Sequence, residues 1–207
     1  AILPVDYAGQ PADLDGYLEL ADQHNLVIIE DAAHALGSKY KNRPVGSVSH
    51  MTVFSFHPVK HITTGEGGMM LCDDPELAAR ARSLRNLCFQ PGRRFHHEEL
   101  GYNFRLTNMQ AAIGLAQTER ISENVARKRR MGEAYTEQLS GIPGLQVPVE
   151  QAWARQVYWM YGVVLDPEHG MSTHEFGARL RERGVETRPF FVGMHLPVSY
   201  THLTLPT

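Results

Sequence analysis

The chain is short of cysteine and lysine and has no long apolar run, and each shortage excludes something. Cys72 and Cys88 are its only cysteines, too few for a disulfide framework, so a reducing cytosol is the default compartment. No apolar run approaches the roughly 20 residues that a membrane-spanning helix needs. The opening Ala1-Ile-Leu-Pro-Val5 lacks the charged start and longer apolar stretch of a secretory signal, and a cytoplasmic location is expected. A net charge of −3 over 207 residues gives no reason for attraction to nucleic acid or to a membrane surface. Although there are 11 histidines, none falls into a zinc-type His/Cys spacing. His96-His97 is a loop pair without a partner motif, and no metal is expected.

What is present reads as globular, with 43% hydrophobic and 21% charged residues. Ile2–Val5 reads as a short strand. Leu14, Tyr17, Leu18 and Ala21 then recur at helical spacing behind Asp13 as N-cap. The apolar run 26–29 predicts a strand buried on both faces, as in a parallel sheet. This order makes a βαβ crossover and sets Asp31 at a strand's carboxyl end, where open α/β sheets place ligands. Strands are predicted over 51–56 and 68–72, and a helix from Asp74-Pro75 to about Leu84. An irregular loop covers 88–101, and a long helical region runs from Thr107 or Asn108 towards Leu139. Gly141-Ile-Pro-Gly144 marks a boundary. Beyond it the pattern predicts a strand over 157–165, a helix over 173–183 and a turn into a strand over 185–189. The chain starts without Met, directly in a strand, and reads as a fragment. Its last residues, 199–207, have neither charge nor periodicity and read as a non-native tail.

The chemistry concentrates around Lys60, just past an apolar strand and just before Gly65-Glu-Gly-Gly68. A lysine that attacks a carbonyl needs a neutral amine, although its ordinary pKa is about 10.4; a partly desolvated site favours that form. The other lysines, Lys39, Lys41 and Lys128, lie in a polar turn and a basic helical run and read as solvated charges. Upstream, Asp31 ends the strand 26–29. A carboxylate at one strand end and a lysine at the next form the minimum pair for pyridoxal phosphate chemistry, although Asp31 is also a plausible helix N-cap. Glu30 should face the opposite side. Phe54 and Phe56 share one face of their strand, so Ser55 points to the other. The Gly-rich run matches neither a P-loop nor a dinucleotide fingerprint and reads as a tight turn.

Asp31-Ala-Ala-His34, Phe54-Ser-Phe-His57, Lys60 with Gly65-Glu-Gly-Gly68, and Gly101-Tyr-Asn-Phe-Arg105 running on to Gly114 occur in order. Each alone is weak. Together they resemble the DegT/DnrJ/EryC1/StrS family of pyridoxal phosphate-dependent sugar-nucleotide aminotransferases, and within it the perosamine-forming 4-aminotransferases. The likeness runs from residue 1 to about Pro197.

The resemblance implies an α/β fold, the fold-type I (aspartate aminotransferase-like) pyridoxal phosphate-dependent transferase. It would comprise part of a large domain with a mixed sheet and long connecting helix (1–140) and a small C-terminal α/β domain (141–198). It implies that Lys60 carries the cofactor as a Schiff base and then acts as acid–base. Asp31 would face the pyridine nitrogen, His34 the ring or its phenolic oxygen, and Ser55 the phosphate. Asn103 would reach the partner's phosphate across a homodimer with shared active sites. His57, Arg105, Arg188 and His195 fall on the substrate side. The implied reaction is transamination of a nucleotide-linked 4-keto-6-deoxy sugar, with L-glutamate as donor, for deoxyamino-sugar or O-antigen synthesis. A sugar dehydratase of the same family would carry histidine in place of Lys60. A non-catalytic cofactor or sugar sensor on the same fold could keep both Lys60 and Asp31. The phosphate-binding helix start and ring-stacking residue of the family's N-terminal part are not in the sequence, so this chain alone should bind the cofactor weakly.

Overall fold

The structure is a computed structural model that describes residues 1–90, 92–97 and 99–192; His195 and the tail 199–207 lie outside the described residues. In chain order the elements are α1 (Leu14–His24), β1 (Ile29–Asp31), β2 (Lys39–Tyr40), β3 (Arg43–Pro44), β4 (Met51–Ser55), β5 (Gly68–Leu71), α2 (Pro75–Arg85), β6 (Phe89–Gln90) and β7 (Arg93–His97). There follow α3 (Asn108–Thr118), α4 (Ile121–Leu139), β8 (Leu145–Gln146), β9 (Ala154–Arg155), β10 (Val164–Leu165) and α5 (Thr173–Arg181). No helix among the described residues is long and apolar enough to cross a membrane.

The central sheet is mixed. β1 lies parallel to β4, and β5 returns antiparallel on the other side of β4. On the free side of β1 the extended chain at 2–5 bridges in parallel at Ile2↔Ile28 and Val5↔Asp31; Pro4, with no N–H to give, still accepts from Asp31 N–H at 2.9 Å. The run 26–29 is not buried throughout: Ile28 is fully covered, whereas Leu26 and Val27 are 37% and 46% exposed. Ala32, Ala35, Val45, Phe54, Phe56 and Ile62 form a core, with Leu36 and Ile121 packed against it.

Helix starts follow their side-chain chemistry. Asp74 accepts from the N–H groups of Glu76 and Leu77, with Pro75 in the first turn. Thr107 and Gln110 form a reciprocal capping box on α3. Asp13 does precede α1, but its carboxylate makes no cap; it accepts from the Tyr40 hydroxyl at 2.8 Å instead. The long helical region is two helices. Near the break the Thr118 hydroxyl donates to the Gly114 carbonyl at 2.7 Å, a back-bond that bends helices. The segment 88–101 contains a hairpin, β6 with β7, held by Phe89 against Phe95 and His97. The stretch 157–165 is strand only at Val164–Leu165. Tyr158 takes φ +48°, a left-handed conformation that interrupts a strand, and no strand forms over 185–192.

Two compact units result. The first is Ala1–Gln138 with Val149–Tyr161; the second is Leu139–Pro148 with the chain from Gly162 onward. In the second unit β8 pairs antiparallel with β10, and α5 begins at a capping box of Ser172 with Glu175. In the first, the returning segment is held by Arg129, which donates to Glu150 and to the Gln156 carbonyl at 2.7 and 2.6 Å.

Under the sheet lie two fully buried carboxyls, Asp6 and Glu30. Asp6 Oδ1 accepts from Ala12 N–H, and Glu30 Oε2 from the hydroxyls of Ser49 and Thr52. The two carboxyls share a hydrogen bond, and their second oxygens have no further partner among the described residues. Burial first, and then the charge of Glu30, raise the Asp6 carboxyl from 3.8 to about 8, so at neutral pH it holds a proton.

The folded protein keeps that proton up to about pH 8, while the unfolded chain releases it at the ordinary carboxyl value. The contribution is therefore largest in acid and falls as pH rises between the two. In Asp6→Asn the melting temperature should gain several degrees relative to the parent on going from about pH 5 to about pH 8; parallel pH profiles would refute the shared proton. Gly132 in α4 is buried, and a Cβ there would sit 2.4 Å from Tyr158 Cγ. Gly132→Ala should therefore cost about 1–3 kcal/mol in denaturant unfolding.

Candidate active site

The register of β1 on β4 sorts the side chains. Asp31 lies opposite Val53, and Ser55 follows two residues along, so Asp31, Val53 and Ser55 share the exposed face. Glu30, Thr52 and Phe54 take the buried face. Asp31 Oδ1 accepts from Ala33 N–H at 3.0 Å, which holds the carboxylate at the strand end.

Lys60 is set by a loop that closes on Phe56. Phe56 N–H donates to Gly67 O, Thr64 N–H to Phe56 O and Lys60 N–H to His57 O. The Thr63 hydroxyl also donates to Phe56 O, and buried Ile62 and Thr64 anchor the turn. The glycines are steric necessities: a Cβ on Gly68 would lie 2.6 Å from Phe54 O, and one on Gly67 2.7 Å from Leu106. The Lys60 side chain is half-buried, and its Nζ lies 4.1 Å from the centroid of the Trp159 ring. Burial lowers the amine below the usual lysine range, opposed by the charge of Asp31.

His34 stacks on the same indole, with centroids 3.7 Å apart and planes 12° from parallel. Burial and then the Lys60 charge depress its pKa to about 4. The ring is therefore neutral near pH 7. Its Nδ1 accepts from Ala8 N–H at 3.4 Å, which leaves the proton on Nε2 as a donor.

Lys60, Asp31 and His34 are thus electrostatic neighbours, and Ser55 shares the Asp31 face. Its hydroxyl accepts from His57 N–H at 3.3 Å. The exposed His57 ring lies 3.9 Å from Glu66. Asn103 and Arg105 belong to a different cluster. Arg105 donates to Asn103 Oδ1 at 2.8 Å and to Asn86 Oδ1 at 3.1 Å, beside a cleft lined by Asn86, Phe89, Gln90, Gly92 and Arg105. Arg188 is exposed in the second unit, and His195 is not among the described residues.

Sequence reasoning missed Trp159. It sits in what reads as an apolar strand, and only the aromatic run Tyr158-Trp-Met-Tyr161 sets it apart. Lys128 is also more than a solvated charge, since its Nζ donates to the Trp159 carbonyl at 3.3 Å.

Residues 1–206 match the model of the DegT/DnrJ/EryC1/StrS aminotransferase family. GDP-perosamine synthase of Caulobacter vibrioides is 42% identical over 204 residues, 98% of this chain and 55% of the relative. The chain therefore spans about half the length of the curated relatives it matches. Among solved structures, Streptomyces venezuelae DesV, in complex with a ketimine intermediate, superposes with a TM-score of 0.90 at 35% identity, over 99% of this chain and 54% of that one. Helicobacter pylori PseC, an aminotransferase of pseudoaminic acid biosynthesis, gives 0.92 at 27%, over 100% and 57%. The mixed sheet with its flanking helices is thus part of the fold-type I architecture of pyridoxal phosphate-dependent sugar aminotransferases. The chain belongs to the DegT/DnrJ/EryC1/StrS aminotransferase family.

Proposed function

We propose that this chain carries the lysine-bearing part of a pyridoxal phosphate-dependent aminotransferase. In this reading the enzyme transfers an amino group, with L-glutamate as donor, to a nucleotide-linked 4-keto-6-deoxy sugar in deoxyamino-sugar synthesis. The observation that carries the reading is the setting of Lys60: a half-buried amine, 4.1 Å from the Trp159 ring centroid, with its pKa lowered by desolvation and the charge of Asp31 near enough to oppose that shift. The names of relatives support the substrate class, GDP-perosamine synthase in C. vibrioides and dTDP-3-amino-3,4,6-trideoxy-alpha-D-glucose transaminase in S. venezuelae among them.

The donor set fits the cofactor. When bound, pyridoxal phosphate supplies the electron sink through which an amino group is taken up and handed on. Lys60 would hold it and afterwards move a proton at Nζ, which its lowered pKa favours. Asp31 would keep the ring nitrogen protonated through a charge-assisted hydrogen bond. His34, neutral with its proton on Nε2, suits a donor to the phenolic oxygen. Ser55, on the Asp31 face, suits the phosphate. Asn103, held in its own cluster by Arg105, suits a role in the partner's site, which would make the working enzyme a homodimer with shared active sites. Arg105 is held by two neutral amide oxygens and, with His57 and Arg188, suits the anionic substrate side.

Borohydride reduction of the full-length protein with its cofactor, followed by peptide mapping, tests this. Label should be confined to Lys60, and Lys60→Ala should lower transamination by at least about 10²–10⁴-fold. Label spread over Lys39, Lys41 and Lys128 would overturn the reading.

A further inference from the structure

The indole next to Lys60 is held more firmly than packing alone requires. Trp159 is 5% exposed. Its Nε1–H donates to the carbonyl of Val59, the residue before Lys60, at 2.8 Å. Its backbone N–H donates to Ala8 O at 2.9 Å, and its carbonyl accepts from Lys128 Nζ. Gly9, at φ +104°, lets the chain pass: a Cβ there would lie 2.9 Å from the Trp159 nitrogen. His34 stacks on the ring. Every polar group of Trp159 is thus engaged in fixing where its aromatic surface lies, and Lys60 Nζ rests 4.1 Å from the ring centroid.

That distance is a cation–π contact, which favours the ammonium over the neutral amine. Among the described residues, few other charged or titratable groups act on Lys60. Asp31 at the end of β1 is the carboxylate that favours the charge. His34, and His61 in the Lys60 loop, are both depressed to about 4 by burial and carry no charge near pH 7. Lys128 on α4 is a like charge on the far side of the Trp159 carbonyl. Desolvation pulls the amine towards neutrality, while Asp31 and the indole pull it back.

We propose that Trp159 is a positioning residue for Lys60: its fixed indole face is the dock on which the amine rests, as ammonium, whenever Lys60 is not covalently engaged. This rests on reading Lys60 as the reacting lysine. A lysine released during turnover has four rotatable bonds and would otherwise search solvent. Docked against Trp159 it stays beside Asp31 and His34, with its proton retained for return.

The test uses full-length protein stripped of cofactor, so its readout does not depend on activity. The rate of Lys60 acetylation by acetic anhydride is followed against pH by peptide mapping in the parent, Trp159→Leu and Trp159→Phe. Leucine keeps the site dry but removes the ring face, so the Lys60 pKa should fall by about half to one and a half units. Phenylalanine keeps a weaker face and should shift it in the same direction by less. A Trp159→Leu protein that melts like the parent and titrates with it, or titrates above it, overturns the proposal. If the leucine variant does not fold, Trp159→Phe decides, and its coincidence with the parent is equally fatal. Failure of borohydride to fix cofactor on Lys60 would instead sink the functional reading, and the acetylation profile would still report the contact.

Discussion

Everything at this site depends on the parallel pairing of β1 with β4. Because a strand alternates strictly between two faces, the register of Asp31 against Val53 sends two adjacent carboxylates in opposite directions. Glu30 goes beneath the sheet, where Thr52 and Ser49 hold it. Asp31 goes to the open face with Ser55. A slip of one residue would bury Asp31 and expose Glu30, exchanging the group that can face a ligand with the group that belongs to the core. The hydroxyls on Glu30 and the protonated Asp6 beside it suit one register only.

The part of the site that lies on this pairing was legible in the chain. Asp31 and Lys60 stand just past apolar runs, and the phenylalanines flanking Ser55 declare its face by alternation alone. Helix starts at Asp74-Pro75 and Thr107 were legible for a similar reason: a cap is a local interaction between neighbours in sequence.

What was not legible is long-range or is disguised by composition. Trp159 meets Lys60 and His34 across about a hundred residues or more, and no periodicity carries that information. The β6–β7 hairpin is built from arginine, histidine and phenylalanine rather than β-branched residues, so it reads as loop. The break between α3 and α4 turns on one threonine hydroxyl back-bonding to Gly114. Asp6 could be read only as a polar residue in a turn, because its burial against Glu30 comes from the bridge at Val5↔Asp31.

The chain leaves the first compact unit at 138–139, returns at 148–149 and leaves again at 161–162. The Gly/Pro punctuation at 141–144 that looks like a seam is therefore only the first of these passages. Trp159 is a loan from downstream sequence to a site encoded upstream. For gene shuffling among relatives, a crossover at this apparent seam would hand Lys60 an indole selected in another protein. Only an exchange that moves 149–161 with residues 1–138 keeps amine and aromatic surface in one inheritance.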